Sequence, residues 1–227
     1  MPTKRTEKFT SEPLRLYLDE RFAKVFGSIT SNILNREGEN TIRSIVVTSA
    51  VRGEGVSTIA LNYAAVSATS ESMKVLLRDA NLRHPSLHRA LDAENSKGFS
   101  DILFSDIKPA QAVLKTSIEN LHFLPAGQFQ ANLNRVFSKT AVKQAISGLN
   151  DQYDFIIMDS PAVSAFPDAA TIAGAVDGVL MVISAHRTRR EVIAESTKCL
   201  ENTGAHILGS ILNKRTYVIP ERLYRRL

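Results

Sequence analysis

A single cysteine, Cys199, in a chain of 227 residues leaves no partner for an internal disulfide and suits a reducing compartment. Long apolar stretches are missing too. Runs such as Gly178 to Ile183 fall well short of the roughly 20 residues a membrane span needs, and no charged-then-apolar leader opens the sequence. These absences predict a soluble, cytoplasmic protein. The histidines, His84, His88, His122, His186 and His206, are dispersed without metal-ligand spacing, which argues against zinc. No Gly-x-Ser-x-Gly or Cys-His arrangement points to hydrolase chemistry. Internal repeats and low-complexity tracts are also absent.

What is present suits one globular domain, with 44% hydrophobic residues. The net charge of +5 gathers toward the ends, in Lys4, Arg5, Lys8 and then Lys214, Arg215, Arg222, Arg225 and Arg226. Solvated termini are the plainest reading of that bias, and an acidic membrane surface or a partner tail is an alternative. Nucleic acid is not expected, because no basic stripe is interleaved with aromatics. Residues 1–13 read as a flexible basic arm and residues 14–227 as one domain, with residues 214–227 as its C-terminal tail.

Leu14, Leu18, Phe22, Val25, Ile29 and Ile33 recur at helical spacing and predict an N-terminal amphipathic helix, ended by the polar break Arg36 to Asn40. Beyond it, strand-like and helix-like segments alternate. Mostly continuous apolar runs predict buried parallel strands at Ser44–Thr48, Val75–Asp79, Leu121–Leu124, Phe155–Asp159, Val179–Ser184 and Ile207–Leu212. Helices are expected at Ser57–Ser67, Leu133–Leu149, Pro167–Ala173 and Arg189–Asn202. The alternation predicts a doubly wound α/β fold with a mostly parallel sheet, whose ligands bind at the carboxyl ends of the strands.

One further absence bears directly on chemistry. Residues Ala50 to Ser57 read A-V-R-G-E-G-V-S, a phosphate loop in outline with Val56 where the lysine belongs. Gly53 and Gly55 let the backbone wrap phosphates, Ser57 offers a hydroxyl to Mg²⁺, and the helix that follows presents free N–H groups. A glycine turn at an ordinary strand-to-helix junction would look the same. The strand ending in Asp79 and the strand ending in Asp159 favour the phosphate reading. Two carboxylates beside a loop hydroxyl are what water-bridged Mg²⁺ needs.

Thr48-Ser-Ala-Val-Arg-Gly-Glu-Gly55, Leu77-Arg-Asp-Ala-Asn-Leu-Arg-His-Pro85 and Ile157-Met-Asp-Ser-Pro-Ala-Val163 together resemble the bacterial tyrosine kinases, as do Leu124-Pro-Ala-Gly127 and Asp177 through Arg190. Those are the cytoplasmic modules of capsule and exopolysaccharide co-polymerases. The resemblance implies a P-loop NTPase fold binding ATP or ADP with Mg²⁺. It assigns Arg52, Gly53, Glu54, Gly55, Val56, Ser57 and Thr58 to the Walker A loop, Ser57 to the metal, and Asn213 to the base. Asp79 is implied as metal-shell residue and base for a tyrosine hydroxyl, and Asp159 as the Walker B carboxylate. Arg78 and Arg83 lie close enough in sequence to face phosphate, with an acidic partner surface as an alternative for Arg83.

The family's phosphoacceptor tail is reduced here to Tyr217 and Tyr224. Its ring-forming Glu-x-x-Arg-x-x-Arg motif is degenerate, with Lys24, Gly27 and Thr30 at the matching positions. A homo-oligomer is therefore implied only weakly. The expected function is a tyrosine-kinase-like protein that regulates polysaccharide polymerisation or export with a membrane co-polymerase on a separate chain, at the inner face of the plasma membrane. Val56 predicts impaired chemistry and weak or lost nucleotide binding. An active autokinase, with Arg52 or a partner supplying the cation, is one alternative. A partition-type ATPase is another, although the second lysine of that class is absent near Val51.

Overall fold

The computed structural model describes residue 16 and residues 20–34, 42–104, 107–128 and 138–215. Its strands are β1 (Ser44–Ser49), β2 (Val75–Asp79), β3 (Leu114–Lys115), β4 (Leu121–Leu124), β5 (Phe155–Asp159), β6 (Gly178–Ser184) and β7 (Ile207–Asn213). They form one sheet in the order β3-β4-β2-β5-β1-β6-β7, parallel throughout except for the β3–β4 pair. The helices are α1 (Glu20–Leu34), α2 (Val56–Ser70), α3 (Leu87–Ala90), α4 (Phe99–Phe104), α5 (Lys139–Ser147), α6 (Asp168–Ala173) and α7 (Arg190–Glu201).

Strands β1, β2 and β5 are buried at every position, which is why their sequences read as unbroken apolar runs. Side-chain alternation splits the core into two layers. Ile45, Val47, Val75, Leu77, Phe155 and Ile157 pack under α2 on one face. Val46, Leu76, Ile156 and Met158 pack with Phe99, Val142, Ile146 and Ile172 on the other. Helix α2 carries ten consecutive buried residues, Ile59 to Ala68, because the sheet covers one side and α1 the other. A helix enclosed on both sides has no polar stripe.

Helix α1 turns Phe22, Ile29 and Ile33 of the stripe its spacing predicts onto the core, but is rotated far enough to bring Val25 out. Val25 is 55% exposed, whereas Phe26, Thr30 and Ile33 are buried. The Phe26 ring stacks on Tyr63 of α2 at 5.1 Å between centroids, and a large flat contact of this kind fixes the rotation of the helix. The Thr30 hydroxyl meets the Tyr63 hydroxyl at 3.2 Å and donates to the Phe26 carbonyl at 3.0 Å. Of the three positions matching the family ring motif, Lys24 is exposed, Gly27 faces Glu71, and Thr30 is enclosed. A buried threonine cannot reach a neighbouring chain.

All six expected strands are found, and β3 adds an antiparallel pair of residues at one edge. Helix α5 begins at Lys139 after the cap Ser138, whose side chain accepts from the Ala141 amide at 3.1 Å. Residues 133–137 of the expected helix, Leu14 and Leu18 of the expected stripe, and the 36–40 break lie outside the described residues, as do the basic arm, Tyr217 and Tyr224. Among the described residues no helix is long and apolar enough to cross a membrane.

Candidate functional site

The connections after β1 and β5 leave in opposite directions, toward β2 and toward β6, and this opens a crevice at the strands' carboxyl ends. Four segments meet there. The loop 50–55 joins β1 to α2, and its glycines adopt left-handed conformations, φ 82° at Gly53 and 97° at Gly55. A side chain at Gly55 would also run into the Asn213 amide, 2.4 Å from where its Cβ would sit. Only glycine serves at that point.

Asp79 and Asp159 stand directly opposite each other at the ends of the paired strands β2 and β5, on the face that α2 covers. Both are fully buried. Their surroundings differ sharply. Asp79 accepts hydrogen bonds from the backbone amides of Asn81 (3.2 Å), Ser86 (3.1 Å) and Leu87 (3.2 Å). Burial still raises its pKa to about 6, with those three amides and Arg89 opposing the rise. Neither oxygen of Asp159 meets a donor in hydrogen-bond geometry. Burial and the adjacent Asp79 push its pKa well above the usual carboxylate range, and only the Ser57 hydroxyl favours its charged form.

The loop's own carboxylate is turned away from any ligand. Glu54 is buried, with its side chain accepting from the Val51 amide at 3.0 Å, the Ser184 amide at 2.7 Å and the Thr188 hydroxyl. It braces the loop against the end of β6. Sequence reasoning placed Glu54 among the ligand-facing residues, and only its backbone remains available for that. Ser184 and Thr188 went unnoticed as its partners because they lie 130 and 134 positions away.

Several other expectations need correction. Arg78 does not face phosphate: it lies on the opposite face of β2 from Asp79, wholly buried over the Phe99 ring at 5.2 Å. None of its three guanidinium nitrogens has a hydrogen-bond partner, and burial lowers its pKa to about 9. Arg83 pairs within the chain, its Nε 2.7 Å from Asp168, instead of meeting a partner's acid. Arg52 and Arg83 both lie over the Phe166 ring, at 4.8 and 4.1 Å, so Arg52 is not folded over the loop. Phe166 had no signal in the sequence beyond being aromatic. Val56 packs against the core beneath α2, in keeping with an apolar side chain at the start of a buried helix. Asn213 donates to the Glu54 carbonyl at 2.8 Å, so in this structure its amide secures the loop.

A metal and a nucleotide fit what remains. Two buried oxygens without donors suit a cation, and the paired glycines make a cradle that any side chain would fill. The amides of Val56, Ser57 and Thr58 open α2 without backbone acceptors among the described residues, as the first turn of a helix leaves them. Among the described residues no cluster of three or more His, Cys, Asp or Glu exists, so a metal would rest on this pair, Ser57 and the ligand's phosphates.

Comparison with known proteins agrees with this geometry. A family model described as an AAA domain matches residues 42–203. The Bacillus subtilis (strain 168) protein named tyrosine-protein kinase YwqD is 33% identical over 83% of this chain and 79% of its own length. The chain belongs to the bacterial tyrosine kinases. The structure of the chimerical protein CapA2B2 superposes with a TM-score of 0.78 at 27% identity, covering 91% of this kinase-family chain and 95% of that one. The septum site-determining protein MinD from Pyrococcus horikoshii OT3, complexed with Mg-ADP, matches at TM-score 0.64 and 25% identity over 81% and 76% of the two chains. The fold of this tyrosine-kinase relative is therefore that of the P-loop NTPases.

Proposed function

We propose that this chain binds Mg-nucleotide at the crevice and is impaired in transferring phosphate. The reading rests chiefly on Asp159, whose two buried oxygens have no donor and stand opposite Asp79 beside a glycine loop. ATP would contribute the transferable γ-phosphoryl group and Mg²⁺ its charge neutralisation. Gly53, Gly55 and the first amides of α2 would hold the phosphates, with Ser57 and Asp159 facing the metal. Asp79 would accept the tyrosine proton, and its pKa near 6 lies close to what a base working at neutral pH needs. Val56 removes an ammonium from the loop, and losing transition-state stabilisation of that kind commonly costs about 10²- to 10³-fold in rate.

In the cell, this family membership supports a role in capsule or exopolysaccharide assembly, at the inner face of the membrane through a separate co-polymerase chain. Calorimetry with Mg-ATP and Mg-ADP on wild type beside Val56→Lys tests the proposal. Weak wild-type binding strengthened by Val56→Lys supports it, and tight binding with rapid turnover by the wild type overturns the impairment.

A second reading, an active autokinase, is favoured by the intact carboxylate pair. It requires labelled phosphate to appear on Tyr217 or Tyr224 and to vanish in Asp79→Ala. An unchanged signal in that variant rejects it.

A further inference from the structure

The Val56 side chain gives a phosphate nothing, yet a cation does touch the loop. Lys214 follows β7 directly and holds a left-handed backbone, φ 54°, which side chains other than glycine seldom adopt. A chain of hydrogen bonds fixes it there. The Lys214 amide donates to the Asn213 side-chain oxygen at 2.8 Å, the Asn213 side-chain nitrogen donates to the Glu54 carbonyl at 2.8 Å, and the Ala185 amide donates to the Asn213 carbonyl at 2.8 Å. The lysine side chain consequently runs along the loop. Its Cε lies 3.9 Å from where a Gly55 Cβ would sit, and its ammonium donates to the Gly53 carbonyl at 2.9 Å.

We infer that Lys214 supplies the phosphate-binding ammonium that position 56 lacks, reaching the loop from the end of β7 instead of from the start of α2. An ammonium has three donors, and Gly53 uses one, so two remain for a nucleotide's phosphate oxygens. Among the described residues the other cations near the loop make no side-chain hydrogen bond to its backbone: Arg52 lies over Phe166, and the Arg187 guanidinium, although 3.9 Å from where a Gly53 Cβ would be, is not bonded to it. Glu54, the anion that would neutralise the lysine, is turned inward on Val51, Ser184 and Thr188.

This inference rests on the nucleotide reading above, and calorimetry with Mg-ATP on the full chain separates the two. Lys214→Met is expected to weaken binding about ten- to hundredfold, the worth of one charge-assisted contact. The melting temperature without nucleotide should not change, because Lys214 is exposed. Val56→Lys is expected to restore affinity in the Lys214→Met background and to add less to the wild type. Equal binding by wild type and Lys214→Met overturns the role of Lys214 and leaves the nucleotide reading standing, whereas binding only by chains that carry Val56→Lys overturns the role of Lys214 and shows that the wild-type site no longer holds nucleotide. Failure of every variant to bind, Val56→Lys included, removes the nucleotide reading and the inference together.

Discussion

Asp79 and Asp159 are opposed residues on neighbouring strands, equally buried, yet one is saturated with backbone donors and the other has none. Asp79 is tied into the turn that follows β2, so it serves the fold whether or not a ligand is bound. The Asp159 carboxylate has no such tie to the backbone. A desolvated carboxylate without donors costs stability, and such a group persists where something outside the chain completes it. The pair thus separates a carboxylate held by three backbone amides from one that has only the Ser57 hydroxyl nearby to favour its charge.

The most severe test of this contrast is Asp159→Asn. It should weaken Mg-nucleotide binding by about a hundredfold or more, read by calorimetry, while raising the melting temperature of the ligand-free chain at a pH high enough to ionise the carboxyl, because the desolvated charge beside Asp79 is then gone. Asp79→Asn should do the opposite to the free chain. An amide cannot accept all three backbone donors, and a loss of roughly 1–3 kcal/mol in urea unfolding is expected. If both variants shift the free chain the same way, the distinction fails.

Arg78, adjacent to Asp79 on the other face of β2, extends the comparison to a buried cation without partners. Arg78→Leu should stabilise the chain by about 1–3 kcal/mol in urea unfolding, the desolvation of the guanidinium outweighing its contact with Phe99. A destabilised Arg78→Leu would mean that the arginine meets a partner in solution.

The smallest effect concerns pH. Both carboxylates have folded pKa values raised above the unfolded one, so the native state binds more protons than the unfolded state in that interval. Their contribution to stability is fully present below about pH 4 and is lost as pH rises through about 6 for Asp79, with Asp159 acting in the same direction. Melting curves in chelator should show this decline, and Asp159→Asn should flatten it.

The sheet was legible because β1, β2 and β5 are buried on both faces and so spell continuous apolar runs. Strand β3 was not, since two residues, the half-buried Leu114 and the exposed Lys115, carry no period. The two aspartates were found by their place at strand ends. Alternation alone could have separated Arg78 from Asp79, because adjacent residues of a strand point to opposite faces. The inward turn of Glu54 had no local signal at all. It depends on Ser184 and Thr188, which only the folded sheet brings near, and the rotation of α1 likewise depends on a Tyr63 ring beyond any helical period.

Glu54 spans the gap between the β1–α2 loop and the end of β6 by itself, so the cradle acquires its shape when the sheet forms. An arriving nucleotide would meet a loop whose conformational entropy has already been given up during folding, and its binding enthalpy need not be spent on ordering. For a site with an apolar side chain where a lysine belongs, such rigidity would lower what a set of phosphate contacts has to supply.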